Sequence, residues 1–498
     1  MDLKPAGSQW LKEKYNISGY TLTHCSFIGS NNAIEITNRG NIEQTYTKKY
    51  APSEDMSVAH LEFSLKYDDL NLPFLGKVFE KIEREDIEKF IEVSPSGKYA
   101  RRIGFWFEFL TGKQLKITKP ITGNYIDLLD NNRYITGNII KDPRWRINNN
   151  LLGTAAFCPV VRKTNKLKEL LKQDITEKIE QLKTEFSSTV FYRAINYLYS
   201  KETKSSYEIE KEQPTPDRTE KFVTLLIQAG AEETEKLLDE QRLTQLQNAI
   251  VDSRFAAGGF RNFQNYIGQS LPGYIDMIHY VCPPPAFVPS LMSGLVDVSN
   301  RSTGIPPEIR AAIISFGFVF IHPFEDGNGR LHRFLIHDIL VHDGVVPKGL
   351  IIPVSAHMLN NIRQYDSILE KYSKPLMQLI KYNKNKEGGI EVINPQEVEP
   401  YFRFPDLTDH CVYLAETIYA TLKEDMPEEL LFIQRYDEVK RALQDVVDMP
   451  DRDINLMILF LHQNKGIFPK RRRSQFSKLT DQEIERMQTE YRKIFELE

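Results

Sequence analysis

Apolar positions along this 498-residue chain change period several times, and each change predicts a different kind of element. From 16 to 67 the alternation of Ile, Thr and Tyr, interrupted by Gly29, Asn31, Asn32 and Gly40, predicts short β-strands. Helical spacing then predicts helices over 74–91, 99–110 and 165–185, whereas 119–152, rich in Asn, Gly and Ile, reads as hairpin or loop. Residues 190–210 read as a helix stopped by Pro214 and Pro216, and 219–253 as two more that end before Gly258 and Gly259. Gly268, Gly273 and the triplet Pro283, Pro284, Pro285 suit an extended flap over 263–285.

The next stretch carries the chemistry. Pro306 and Pro307 stand where proline is tolerated, in a first helical turn, and 308–321 is apolar on nearly every face, so that helix is expected to be buried. Pro323, Gly327 and Gly329 then force a tight loop, after which Leu331, Phe334, Leu335, Ile339 and Leu340 resume helical spacing as far as Gly344. Glycines allow successive N–H groups to converge on an anion, and the positive end of the new helix adds attraction, so the loop is suited to a triphosphate. Arg330 and Arg333 occupy neighbouring positions on the first turn and offer guanidinium forks to phosphate oxygens. Asp326 adds a hard oxygen, and one carboxylate with phosphate oxygens and water is a usual way to hold Mg²⁺. His322, at the end of the buried helix, is placed to accept a proton at neutral pH.

Composition narrows the setting. A hydrophobic fraction of 41%, a charged fraction of 27% and a formal charge of -4 suit a globular protein of two or three domains with no overall polyelectrolyte character. Cys25, Cys158, Cys282 and Cys411 are far apart and have no Cys-x-x-Cys spacing, which argues against a zinc cluster or dense disulfides and for a reducing, cytoplasmic location. No apolar run nears the roughly 20 residues that span a bilayer, and no secretion signal or membrane association is expected. His332, His337 and His342 recur every five residues, which turns each away from the last on a helix, so they are not expected to share a metal.

The string His322-Pro323-Phe324-Glu325-Asp326-Gly327-Asn328-Gly329-Arg330-Leu331-His332-Arg333 resembles the Fic family motif H-x-F-x-D/E-G-N-G-R-x-x-R at each specified position. The resemblance runs from about 205 to 372 and implies an all-helical catalytic core with a β-hairpin flap. It implies that His322 deprotonates a target hydroxyl, Phe324 packs inward, Asp326 binds the metal, and Gly327, Asn328 and Gly329 hold the α-phosphate. Arg330 and Arg333 would contact the outer phosphates. The flap resembles the family segment that aligns a target peptide as an added strand, with Ile267 as a clamp. Asn361 and Tyr365 either line the adenine end of the pocket or simply pack. Ser206 and Glu210 resemble the family's inhibitory Ser/Thr-x-x-x-Glu, whose carboxylate would meet Arg333, although Lys211 stands where the family prefers Gly or Asn.

The expected fold class is therefore mainly α, with a mixed α/β N-terminal region (1–188), the catalytic domain (189–384) and a helical or winged-helix-like terminal module (385–498) reached through a linker at 383–389. The expected function is transfer of AMP from Mg-ATP to a Ser, Thr or Tyr hydroxyl of a target protein, restrained by Glu210 against Arg333. The implied partners are ATP and a protein docked on the flap, with the chain itself as a further target and a second copy as a further partner. Two alternatives remain open: removal of AMP by the same site, and a nucleotide-sensing regulator whose terminal module binds DNA. The run Lys470 to Arg473 is read as a solvated face in preference to a DNA contact.

Overall fold

In the computed structural model, which describes residues 3–37, 41–53, 55–271, 275–385 and 389–497, the N-terminal region is built on a small sheet. Gly40, Gly273 and Gly388, expected at turns, lie outside the described residues. Strands β1 (Lys4–Ala6), β2 (His24–Gly29), β3 (Ala33–Ile36) and β4 (Ile42–Thr47) are ordered β1-β2-β4-β3, with β2 and β4 parallel and both outer strands antiparallel to their neighbours. Helix α1 (Gly7–Lys14) follows β1. The strand pattern expected to continue to Tyr67 is corrected: Ser57–Tyr67 is helix α2, with Val58, Leu61 and Phe63 buried. Beyond it the buried Asp68 carboxylate accepts from the Ser8 N–H at 2.7 Å and the Ser26 hydroxyl at 2.5 Å, tying helix and sheet together.

The helix expected over 74–91 is two, α3 (Leu72–Lys81) and α4 (Arg84–Val93), followed by α5 (Lys98–Thr111). Strands β5 (Ile126–Asp127), β6 (Ile140–Asp142) and β7 (Ile147–Asn149) form a second sheet, and Trp106 and Trp145 are fully buried in the core beneath. The chain then threads across the next region, with Cys158 donating to the Arg403 carbonyl at 2.8 Å and Val160 to that of Pro405 at 2.9 Å. Arg162 lies 3.0 Å from both Asp69 and Asp406 and so bridges the two regions.

Residues 165–185 divide into α6 (Asn165–Leu170) and α7 (Ile175–Glu185), because Asp174 caps the first turn of α7. The long α8 (Ser188–Ile209) is capped by Ser187, and α9 (Pro216–Ile227) and α10 (Glu240–Ile250) by Thr215 and Asp239. Strands β8 (Tyr266–Leu271) and β9 (Ile275–Val281) form the antiparallel flap. Helix α11 (Val288–Arg301) leads to α12 (Pro307–Ile321), and α13 (Asn328–His342) follows the loop. Every described position of α12 from Glu308 to Ile321 is buried. Its Phe316 and Phe318 are fully enclosed, and losing either side chain would cost about 3 to 5 kcal/mol, so the end of the helix that presents His322 is firmly held.

Helices α14 (Val354–Asn360) and α15 (Ile362–Leu379) complete the surround of α13. At the expected linker the chain forms a hairpin of β10 (Tyr382–Lys384) and β11 (Ile390–Val392), pairing Asn383 with Glu391. Helices α16 (Pro395–Arg403) and α17 (Thr408–Ala420) pack into the same core as α12, and that core extends from Ile135 to Leu430, across both 188/189 and 384/385. A π-helical turn at Thr421–Asp425 runs into α18 (Met426–Val446). Met426 and Leu430 of α18 belong to the main core, while Val439 and Leu443 belong to a separate one shared with α19 (Asp451–Gln463) and α20 (Asp481–Ile494). No strand is present among the described residues after β11, so the terminal module is helical and lacks the hairpin of a winged helix.

Candidate functional site

His322 terminates α12 in a left-handed conformation, φ 54° and ψ 59°, which costs a non-glycine residue on the order of 1 to 3 kcal/mol and persists only under outside constraint. Arg261, at the base of the flap, supplies it. Its Nε donates to the His322 carbonyl at 2.7 Å, a guanidinium nitrogen donates to the Pro283 carbonyl at 2.8 Å, and its backbone N–H donates to the Pro323 carbonyl at 2.8 Å. Arg261 stands two residues before the stretch the sequence predicts as a flap. Its restraint of the loop is not readable from spacing.

The His322 ring is buried, with Nδ1 3.2 Å from the Val319 carbonyl. This contact assigns the proton to Nδ1 and leaves the Nε2 lone pair as acceptor. Burial, with the Arg261 charge nearby, pushes the imidazole down from 6.5 to about 4. The group is thus a neutral base across the physiological range.

Phe324 is fully buried, its ring 5.5 Å from that of Phe260 and 6.4 Å from that of Phe318. The Asn328 side-chain oxygen accepts from the Phe324 N–H at 3.0 Å and its nitrogen donates to the Phe324 carbonyl at 2.9 Å. The amide therefore closes the loop on itself. Gly327, with φ 84°, begins α13 in a conformation suited to glycine, and a Cβ there would stand 2.8 Å from Val251.

The structure brings both arginines against the end of α8. Glu210 lies 2.8 Å from Arg330 Nε through Oε2 and 2.8 Å from an Arg333 terminal nitrogen through Oε1. Arg333 also donates through Nε to the Ser206 hydroxyl at 2.8 Å and through a terminal nitrogen to the Ser206 carbonyl at 2.6 Å. Glu212, which the sequence reading left out, adds a contact to Arg330 at 3.1 Å and one to Arg218 at 3.0 Å. Burial would depress both loop arginines, but the surrounding carboxylates outweigh it and hold them above their ordinary values. Lys211 is left-handed at φ 59°, which gives a physical reason for the Gly or Asn preferred at that position. A Cβ on Gly329 would stand 2.3 Å from Glu210 Oε1.

Asp326 accepts from Arg330 at 2.7 Å and from the Gly327 N–H at 2.6 Å, and its side chain is 34% exposed. Oxygens of Glu210, Glu212 and Asp326 come within 4.8 Å of one another around the Arg330 guanidinium, with Arg333 and Arg218 as further cations on Glu210 and Glu212. The accessible Asp326 carboxylate fits the single protein ligand that a phosphate-bound Mg²⁺ requires. Ile267 is 40% exposed on β8 at a register shift, opposite the buried Tyr280. Tyr365 is buried against Arg333 and His332, and Asn361 donates to the His357 carbonyl at 3.0 Å. His332, His337 and His342 have separate surroundings: Phe316, Glu202 and Asp343. Cys25, Cys158, Cys282 and Cys411 are free thiols, and no described helix is long and apolar enough to cross a membrane.

Comparison with known proteins agrees with the loop. The Fic/DOC family model matches residues 237–340. A protein adenylyltransferase fic-1 of Caenorhabditis briggsae is 32% identical over 154 residues, covering 28% of this chain and 28% of its own. A protein adenylyltransferase Fic of Drosophila willistoni is 36% identical over 189 residues, covering 37% of this chain and 30% of its own. The match thus spans about a third or less of these relatives' length. Among solved structures, a Fic family protein from Desulfovibrio desulfuricans G20 aligns with TM-score 0.38 and 17% identity, covering 63% of this chain and 87% of that one. Residues 237–340 thus match the Fic/DOC family model, within a longer and mainly α-helical chain.

Proposed function

We propose that this chain is a protein adenylyltransferase that moves AMP from Mg-ATP to a hydroxyl of a target protein, and that Glu210 holds it inactive. The observation that carries the reading is the buried neutral His322 at one end of a loop whose other end presents Arg330 and Arg333. The target hydroxyl, aligned by the flap near Ile267, attacks the α-phosphorus as its proton passes to Nε2 of His322. The bond from the α-phosphorus to the bridging oxygen breaks and pyrophosphate leaves. The amides of Gly327, Asn328 and Gly329, at the positive end of α13, take the phosphate charge that develops. Mg²⁺ held by Asp326 would neutralise the remaining phosphates.

The restraint is electrostatic and steric. Glu210 occupies the arginine forks that outer phosphates need, and it sets a carboxylate beside the place of a triphosphate. The test is incubation of the purified chain with Mg²⁺ and α-labelled ATP, read by mass spectrometry. Label on protein is expected from wild type, faster from Glu210→Gly and almost none from His322→Ala. If Glu210→Gly transfers no faster yet loses the ability to strip AMP from a modified protein, Glu210 serves the reverse reaction instead.

A further inference from the structure

Glu202 lies two turns before Glu210 on α8 and is 1% exposed. Its carboxylate has a full set of partners. Oε1 is 2.8 Å from His337 Nε2 and accepts from the Ser355 hydroxyl, and Oε2 accepts from the Ser355 N–H at 2.8 Å. His337 is on α13, one turn beyond Arg333, and Ser355 opens α14. None of these three groups has a part in the mechanism above.

The spacing is what gives them meaning. Along α8 the contact residues are 202, 206 and 210; along α13 they run the other way, from His337 through Arg333 to Arg330. Both series step by three or four residues, the interval that returns a helix to the same face. The two helices are thus joined by an antiparallel ladder whose three steps are Glu202 with His337, Ser206 with Arg333, and Glu210 with Arg333 and Arg330. Moving α8 by one residue along its axis, roughly 1.5 Å with about 100° of rotation, would break all three. Glu202 is the step that phosphate does not compete for, so it is the one that can hold register whether or not Glu210 is displaced.

We infer that Glu202 is a positioning residue of the brake: by anchoring α8 to His337 and Ser355 it sets the height at which Glu210 meets Arg330 and Arg333. The inference rests on the proposed inhibitory part of Glu210. A buried carboxylate left without partners is unfavourable, so removing it or its partners changes the packing of α8 on α13 and not merely one bond.

The test uses the full chain carrying Glu202→Gln, Glu202→Met and Ser355→Ala, each alone and with Glu210→Gly. Auto-labelling from Mg²⁺ and α-labelled ATP is measured together with hydrogen exchange of the amides at 206–212. Glu202→Met is expected to raise labelling by about tenfold, within the usual range of coupling between sites, and to speed exchange at 206–212. Glu202→Gln, which keeps an acceptor for Ser355, should restore most of the restraint. With Glu210→Gly already present, none of the three should raise labelling further, because Glu202 acts through Glu210. A merely structural residue would lower labelling equally in both backgrounds, and that result overturns the inference. So does an unchanged Glu202→Met where Glu210→Gly is faster. If Glu210→Gly itself is no faster, the inhibitory reading fails, and exchange alone decides Glu202: faster supports register control and unchanged removes it. Should Glu202→Met not fold, Glu202→Gln and Ser355→Ala give the same readings at smaller amplitude.

Discussion

Glu210 lies so close to Gly329 that a Cβ on the glycine would stand 2.3 Å from its Oε1. The carboxylate uses the space an absent side chain leaves. Gly329→Ala should therefore dislodge Glu210 and speed amide exchange at 206–212, at a cost of about 1 to 3 kcal/mol for crowding. It should not match the gain of Glu210→Gly in transfer, because the methyl group also intrudes on the anion loop. Labelling as fast as Glu210→Gly would mean that the loop tolerates a side chain where phosphate is bound.

His322→Ala should lower transfer by about 10²- to 10⁴-fold, the usual effect of a general base, while leaving ATP affinity nearly unchanged. Titration calorimetry with a non-hydrolysable analogue checks the second half. A parallel loss of affinity would assign His322 to binding.

The pH dependence follows from burial. A base works when unprotonated, and the His322 imidazole is pushed from 6.5 down to about 4, so it stays neutral until the solution is quite acidic. Transfer by Glu210→Gly should stay level from neutral pH to about pH 5 and fall below that, as expected of a group titrating at its own pKa. A rate that halves near the ordinary histidine value would show that the imidazole is solvated in the working enzyme.

Asp326→Ala should raise the Mg²⁺ concentration needed for half-maximal transfer well above that of Glu325→Ala. Of these two residues, Asp326 is the one whose carboxylate meets Arg330 and lies in the cluster with Glu210 and Glu212. Coincident metal titrations for the two variants would remove Asp326 from that part.

Lys211→Gly should tighten the restraint. Glycine adopts a left-handed conformation freely, so relieving φ 59° at Lys211 favours the closed geometry by about 1 kcal/mol. The expected results are slower auto-labelling and a slightly higher melting temperature. Faster labelling would show that the turn after Glu210 is not part of the closed geometry.

Much of the region around the loop could be read directly. Two apolar helices around a Gly-rich loop depend on local periodicity and local turn chemistry, and both survive packing. Residues 57–67 could not be read the same way: Leu61, Phe63 and Leu65 alternate as a strand would, and the helix they form packs on α1, α4 and α5, which the local pattern does not show. The hairpin at Tyr382–Val392 looked like a linker because polar Asn and Lys serve a turn as well as a tether. Arg261, Glu202 and Glu212 were illegible for another reason. Each owes its position to a partner between 61 and 153 residues away, and no spacing rule reaches that far.

Helix α18 belongs to two cores at once, with Leu430 in one and Leu443 in the other, and no break in its hydrogen-bonded frame between them. On its way it touches the helix that bears Glu202 and Ser206 twice, through Glu429 with Lys201 and Asp437 with Arg193. One continuous helix therefore connects the terminal bundle to the main core and to α8. A shift of the bundle would thus be felt at α8, whose far end carries the Glu210 contacts to Arg330 and Arg333.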